Sequence, residues 1–122
     1  MKTRRFFMKS DVYSFGVLLL ELITGLKSLH EDTPLAEWTQ TYRLSEGIDI
    51  FMTIVDRNLI DHIDMMELQN MIKIANLCLL DISGERPSMR EIMNMIQDTR
   101  NINATANGNL SDGGEAGKWK LV

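Results

Sequence analysis

The sequence predicts an all-α fold, and three segments carry this prediction. Residues 10–25 form an apolar run between two helix-capping residues, apolar residues after Asp61 recur every three or four positions, and Ser88 begins a Ser-x-x-Glu pattern. Apolar residues on one helix face repeat about every 3.6 residues, and Ser-x-x-Glu is typical of an N-terminal capping box. We therefore expect a central hydrophobic helix followed by three later helices.

The first helix is predicted to span residues 10–25. Ser10 is expected to cap its N-terminus, and Asp11 places a negative charge in the first turn, where the helix dipole favours it. Gly25 can supply a left-handed C-cap.

This first helix should be buried on most sides. Glu21 is the only polar residue between positions 17 and 23, so the helix lacks a wide polar face. A transmembrane span would need about 20 apolar residues, and the run is far shorter. A buried strand is a weaker alternative, because leucine outnumbers the β-branched residues.

The middle of the chain is less clearly patterned. After a polar loop, Pro34, a residue suited to the first helical position, is expected to open a helix over residues 35–44, with Trp38 as a packing residue on its apolar face. Residues 48–55 suggest a short helical turn, and a strand remains the alternative.

Two further helices complete the predicted fold. A long helix is expected over residues 61–80, and a last helix over residues 88–98 follows a turn. The apolar positions expected to face the core are Met65, Leu68, Met71, Ile72, Ala75, Cys78 and Leu79 in the first and Met89, Ile92, Met93 and Ile96 in the second. Residues 99–122 are polar, lack apolar periodicity and are predicted to form a disordered tail.

Composition is that of an ordinary soluble domain. The chain has 122 residues, of which 44% are hydrophobic and 25% charged, which suits one domain. Its 13 Lys and Arg against 17 Asp and Glu give a net charge of -4, so nucleic acid is not an expected partner. Cys78 is the only cysteine, which agrees with a reducing compartment. The apolar run after the basic start is too short for an export signal.

No pattern of catalytic, cofactor-binding or metal-binding residues is found. His30 and His62 lie in different segments without partners at metal-site spacing. The sequence contains neither a glycine-rich phosphate cradle after a strand nor a Gly-x-Ser-x-Gly nucleophile elbow.

Four short motifs, in a fixed order, do carry a resemblance. They are KSDVYSFGV at 9–17, LAEW at 35–38, IVD at 54–56 and, after Cys78, GERPSM at 84–89. Together they closely resemble the C-terminal part of a eukaryotic protein kinase domain, the C-lobe, as found in plant receptor-like serine/threonine kinases. The resemblance covers about residues 3–98, which we interpret as a partial kinase domain preceding the tail at 99–122.

The resemblance implies structural roles for three residues. Residues 10–25 correspond to the hydrophobic helix at the centre of the C-lobe, in a motif that includes Gly16. The residue matching Asp11 hydrogen-bonds the backbone of the catalytic loop, and the one matching Arg86 pairs with the glutamate of the Ala-Pro-Glu motif. Kinases of this family are anchored in the plasma membrane with the kinase domain in the cytosol, so a cytoplasmic location is implied.

The sequence also departs from that family. The Gly-rich loop, the Val-Ala-Ile-Lys lysine, the His-Arg-Asp loop, Asp-Phe-Gly and Ala-Pro-Glu are all absent from these 122 residues. The complete domain uses ATP and magnesium, which these elements position, so no cofactor is expected for this chain alone and catalysis by it is not expected.

Two functions therefore remain open. The chain is either a truncated receptor-like serine/threonine kinase, whose parent transfers phosphate from ATP to protein, or a small interaction module. Such a module would bind a kinase or another protein that covers the hydrophobic helix.

The missing segments have an energetic consequence. If four of the six apolar side chains between positions 17 and 23 stayed exposed, the lost burial would be about 6 to 12 kcal/mol. An Arg86 buried without its carboxylate would cost about 3 to 5 kcal/mol more. Because domain stability is about 5 to 15 kcal/mol, the sequence predicts a chain that is marginally stable, repacked or dependent on a partner.

Overall fold

The computed structural model describes residues 7–108, with side chains over 7–98, and this part of the chain is mostly helical, as predicted. Its elements in chain order are α1 (Lys9–Thr24), β1 (Leu29–His30), β2 (Thr33–Pro34), α2 (Leu35–Trp38), α3 (Gln40–Arg43), α4 (Asp49–Met52), α5 (Arg57–Ile60), α6 (Met65–Cys78), a 3-10 turn (Ser83–Glu85) and α7 (Met89–Gly108).

The N-terminus of α1 is capped by Asp11 rather than by Ser10, so the predicted N-cap is wrong. The helix already begins at Lys9, and the backbone N–H of Met8 donates to Oδ2 of Asp11 at 2.8 Å. At the other end, Gly25 has φ 75° and its N–H donates to the Glu21 carbonyl at 2.8 Å. The predicted left-handed C-cap is therefore confirmed.

Only part of the α1 surface is buried. Val12, Leu20 and Ile23 are covered, whereas Leu18 and Leu22 are 48% and 59% exposed. The prediction of burial on most sides is therefore wrong for this chain. Two of the six apolar side chains between positions 17 and 23 are exposed, fewer than the four assumed from the sequence.

The predicted helix over residues 35–44 is two short helices. Thr39 separates α2 from α3, and its Oγ1 donates to the Leu35 carbonyl at 2.8 Å, a local bond that competes with regular helix. Pro34 precedes the first helical position and pairs with Leu29 in a two-stranded antiparallel ribbon. The predicted helix start at Leu35 is therefore confirmed, whereas Pro34 is the N-cap rather than the first helical residue, and a ribbon replaces part of the expected polar loop.

The ribbon and the aromatic residues after it pack together. Glu31 and Asp32 join the strands with φ 53° and 63°, a left-handed turn. Trp38 contacts the His30 ring edge-on at 4.6 Å and stacks on Tyr42 at 5.3 Å between ring centroids. Trp38 is thus a packing residue, as predicted.

The helix before α5 agrees with the sequence prediction, whereas the long helix after α5 begins later than predicted. Asp49–Met52 is a helix, so the helical alternative for residues 48–55 is confirmed and the strand is wrong. The long helix α6 begins at Met65, capped by Asp64, and not at Asp61.

Two apolar clusters form the core, and each contains residues of both α1 and α6. The first includes Val12, Leu19, Leu20, Leu35, Ala36, Ile74, Ala75, Cys78, Leu79 and Ile92. The second consists of Ile23, Phe51, Val55, Leu68 and Ile72. Met71 packs against both clusters, so α6 links them. Met65 is exposed, and its predicted place in the core is wrong.

The start of α7 follows the predicted capping box. The Ser88 N–H donates to Glu91 Oε1 at 2.8 Å, and the Glu91 N–H donates to Ser88 Oγ at 3.1 Å. Ile92 is buried, but Met93 and Ile96 are exposed, so half of the predicted apolar stripe does not face the core.

The helix α7 also ends later than predicted. It continues to Gly108, past the expected end at Asp98 and into the segment predicted to be a disordered tail. Residues 109–122 of that predicted tail lie outside the described residues. Within the described part of the chain, no helix combines the length and the apolar character needed to cross a membrane.

Candidate functional site

Arg86 links the start of α1 to the segment after α6. Its guanidinium donates to the carbonyls of Leu80 at 2.7 Å, Lys9 at 3.1 Å and Asp81 at 3.3 Å. It also lies over the Tyr13 ring, 4.8 Å from the centroid. In return, Nζ of Lys9 donates to the Arg86 carbonyl. The contacts run in both directions, so they fasten two parts of the chain that are far apart in sequence.

These contacts correct the expected energetic cost of Arg86. Over residues 7–98, no carboxylate lies within ion-pair distance of Arg86. Three carbonyl oxygens and an aromatic face take its place, and the side chain is only half-buried. The penalty expected for a buried charge without partners therefore does not apply here.

Gly16 allows α1 and α6 to approach closely. A Cβ at this position would lie 2.8 Å from Cβ of Cys78 and 3.0 Å from Cγ of Leu79. Contacts this short require a neighbour to move, and Cβ of Cys78 is fixed to the backbone of α6. Gly16, one of the residues expected to have a structural role, thus lies where α1 and α6 are too close for a larger side chain.

Cys78, opposite Gly16, is fully buried. Burial raises the pKa of its thiol to about 11, against a smaller lowering by the positive charge of Arg86. Because the thiolate is the nucleophilic form, the folded chain holds this cysteine in its unreactive form at neutral pH.

The raised pKa predicts a loss of stability at alkaline pH. Between the ordinary thiol pKa of 9.0 and about 11, the unfolded chain loses the Cys78 proton while the folded chain keeps it. The stabilising contribution of the protonated Cys78 thiol is therefore fully present below pH 9.0 and is lost as pH rises to about 11. Over this range the free energy of unfolding falls by up to about 1.4 kcal/mol per pH unit. Denaturant titrations from pH 8 to pH 11 should show a smaller decline in Cys78→Ala than in the parent chain. Equal declines would contradict this prediction.

Asp11 lies on a different face of α1 from the Arg86 contacts. Lys9, Tyr13 and Gly16 follow each other at helical spacing toward α6 and Arg86. Asp11 is exposed and shares its face with Leu18 and Leu22, which follow at intervals of seven and four residues. The structure therefore brings Gly16 and Arg86 to one side of α1 and leaves Asp11 on an exposed, partly apolar face. We call the surface of Asp11, Leu18 and Leu22 the α1 face.

Arg43 is a structural residue that the sequence did not indicate. It is buried, and its guanidinium donates to Oγ1 of Thr39 at 3.0 Å, Oδ1 of Asn76 at 2.7 Å and the carbonyl of Ala36 at 2.7 Å. Burial lowers the pKa of Arg43, and electrostatic attraction to Tyr13 and Asp81 acts in the opposite direction. The four-residue spacing from Thr39 was visible in the sequence, but the contact with Asn76 depends on how α3 packs on α6.

Within the part of the chain that the structure describes, neither histidine belongs to a group of possible metal ligands. Nε2 of His30 is 3.6 Å from a carboxylate oxygen of Glu31, and Nδ1 of His62 is 2.8 Å from the Asn58 carbonyl. Among the described residues, no three His, Cys, Asp or Glu side chains are grouped so that they could hold a metal ion.

Taken together, the fold and these contacts define a helical scaffold built on a central helix, in which the singled-out polar residues serve helix packing and capping. The sequence model of the protein tyrosine and serine/threonine kinase family matches residues 1–96. The chain belongs to that family.

Relatives from plants support the same assignment. A probable receptor-like protein kinase of Arabidopsis thaliana is 36% identical over 98 residues, which are 76% of this chain and 11% of the relative. Calcium/calmodulin-regulated receptor-like kinase 2 of the same plant is 37% identical over 97 residues, or 79% of this chain and 21% of the relative. Salt tolerance receptor-like cytoplasmic kinase 1 of Oryza sativa subsp. japonica is 40% identical over 110 residues, or 85% of this chain and 28% of the relative. The chain thus spans less than a third of the length of each.

Proposed function

We propose that the chain is the C-lobe part of a plant receptor-like serine/threonine kinase domain and acts as its structural scaffold. The observation that carries this proposal is the α1 face, where the exposed side chains of Leu18 and Leu22 follow Asp11 on the central helix. Exposed apolar surface beside polar groups is typical of a contact with another protein segment. The preceding half of a kinase domain is such a segment.

Asp11, Gly16 and Arg86 have distinct roles in this proposal. The Asp11 carboxylate, exposed on the α1 face, receives hydrogen bonds from the backbone of a catalytic loop packed there. Gly16 keeps α1 and α6 close. Arg86, which is half-buried, exchanges a carbonyl acceptor for the glutamate of an Ala-Pro-Glu segment when that segment is present.

The chain by itself does not transfer phosphate in this proposal. Phosphoryl transfer depends on positioning ATP and its magnesium ions, and none of the motifs that do this occurs in the 122 residues. ATP, magnesium and serine or threonine substrates belong to the complete kinase. We also propose a cytoplasmic location, supported by the kinase family and by the receptor-like cytoplasmic kinase among its relatives.

A reconstitution assay tests this proposal. We expect no phosphate transfer from ATP and magnesium by the chain alone. Mixing it with a separately produced segment that carries the preceding kinase elements of a relative should restore transfer. Leu18→Asp with Leu22→Asp should abolish the restored activity, because charges would be buried in the contact.

Leu44→Asp is the matched control, since Leu44 is equally exposed but lies at the end of α3. This variant should leave reconstitution unchanged. Turnover by the chain alone would contradict the noncatalytic part of the proposal, and a stable mixture without turnover would contradict the scaffold role.

One observation favours a second candidate, the small interaction module. Over the described side chains, every buried polar atom has a hydrogen-bond partner, and two apolar clusters form a core. A chain of this kind can fold without the rest of a kinase and bind a kinase or another protein through the α1 face. Binding of an intact kinase, blocked by the same double substitution and without any reconstituted activity, would favour this candidate.

A further inference from the structure

We infer that Asp81 competes with an incoming carboxylate for the guanidinium of Arg86 and so weakens binding of the segment that carries this carboxylate. The inference deepens the proposed function, on which it rests in taking Arg86 as the residue that receives a glutamate from the preceding part of the kinase domain. Its basis is the contact between Asp81 and the exposed edge of the guanidinium.

One edge of the Arg86 guanidinium is more accessible than the others. Its Nε donates to the Leu80 carbonyl at 2.7 Å and its Nη1 to the Lys9 carbonyl at 3.1 Å, and both bonds are part-buried. The bond from Nη2 to the Asp81 carbonyl is exposed, and at 3.3 Å it is the longest of the three. Because the Tyr13 ring lies against one face of the guanidinium, the Nη2 edge is where a carboxylate from another segment would bind.

The Asp81 carboxylate belongs to the residue whose carbonyl accepts this exposed bond. The side chain is exposed, and over residues 7–98 its carboxylate is not within ion-pair distance of Arg86. Rotation about the Cα–Cβ bond moves the carboxylate among positions around the backbone that Arg86 already contacts. Since it is part of the same chain, it has a high effective concentration at the Nη2 edge.

Attraction to Arg43 gives the Asp81 carboxylate an alternative position. Arg43 is buried, and the charge of Asp81 opposes the lowering of the Arg43 pKa by burial. Asp81 thus lies between two arginines, bonded to Arg86 through its carbonyl and attracted to Arg43 through its carboxylate. Among the described side chains, neither arginine holds this carboxylate in a close ion pair, so it can turn toward Arg86.

Asp81 opposes an incoming glutamate in two ways. When its carboxylate pairs with Arg86, the Nη2 donors are occupied. When its carboxylate is turned away, its negative charge still repels a second carboxylate at this edge. Exposed ion pairs are weak because water and salt screen them, so we expect Asp81 to raise the concentration of segment needed for binding by about two- to fivefold.

The first test uses the full chain alone, with acetate as the carboxylate probe. The Nε–Hε signal of Arg86, identified by its loss in Arg86→Lys, is followed by NMR as sodium acetate replaces sodium chloride at constant ionic strength. Asp81→Asn removes the charge but keeps the shape of the side chain. It should therefore lower the half-saturating acetate concentration about two- to fivefold. Glu85→Gln, in the exposed turn beside Arg86, is the matched control and should have a smaller effect.

The second test is the reconstitution assay. With Asp81→Asn, half-maximal phosphate transfer should need about two- to fivefold less of the preceding kinase segment than with the parent chain. Circular dichroism verifies that each variant keeps its helices.

The outcomes separate this inference from the proposed function. Equal half-saturating acetate concentrations for the parent and Asp81→Asn, or an Arg86 signal that does not respond to acetate, would overturn the inference. An equal effect of Glu85→Gln would also overturn it, because net charge rather than the position of Asp81 would then be the cause. So would a reconstituted activity whose dependence on segment concentration is the same with Asp81→Asn. Failure of reconstitution together with the expected acetate result would contradict only the proposed function.

Discussion

Replacing Gly16 with leucine is expected to lower the free energy of unfolding by about 3 kcal/mol, a large part of the stability of a typical domain. Even a Cβ at this position would lie 2.8 Å from Cβ of Cys78 and 3.0 Å from Cγ of Leu79. Since leucine adds three further carbon atoms, α1 and α6 would have to separate. Separation would open the first apolar cluster, to which both helices contribute.

The matched control is Gly84→Leu. A Cβ built on Gly84, which is exposed in the turn before Arg86, would meet nothing within 4 Å beyond the adjoining backbone. Urea denaturation should therefore show a much lower midpoint for Gly16→Leu and little change for Gly84→Leu. Similar midpoints for the two variants would contradict the need for a close approach at Gly16.

Replacing Arg43 with methionine is expected to lower the free energy of unfolding by about 2 to 3 kcal/mol. Methionine keeps the apolar stem but removes the donors to Thr39, Asn76 and Ala36. The bonds from a charged donor are worth about 1.5 to 3 kcal/mol each. The net loss is smaller than their sum, because burying the guanidinium is itself unfavourable, as its lowered pKa indicates.

Arg57→Met is the control, since Arg57 is exposed, and it should change stability by less than about 0.5 kcal/mol. A double-mutant cycle isolates the contact between α3 and α6. Arg43→Met should be less destabilising when Asn76→Ala is already present, since one acceptor has gone. Equal effects in both backgrounds would show that the 2.7 Å contact contributes no energy.

Local features of the fold could be predicted from the sequence, because their causes lie within a few residues. The Gly25 C-cap and the Ser88–Glu91 capping box depend on neighbours along the chain, and both are present. The exact first residue of α1 was missed, because Asp11 reaches back to Met8 and starts the helix earlier than Ser10. Asp11 acts from the third helical position of a capping box, and the N-cap itself is Met8, a residue type that gives no capping signal in the sequence.

Features that depend on packing were predicted less well. Met93 lies at core spacing in α7, yet it is exposed while Ile92 is buried, because burial depends on which side of α7 faces α6. The identity of Gly16 and Arg86 as structural residues came from the family resemblance. Their actual partners, Cys78, Leu79 and three carbonyls, could not be read from spacing. Arg43 gave no signal because Asn76 is far away in sequence.

The distribution of the two apolar clusters has a consequence for how the chain folds. Each cluster contains residues of α1 and of α6, and residues 25–64 separate these helices. Neither cluster can nucleate from neighbouring residues alone, so the entropic cost of closing this loop precedes most of the gain from burial. We therefore expect the meeting of α1 with α6 to limit the rate of folding, with the short helices between them packing onto that pair afterwards.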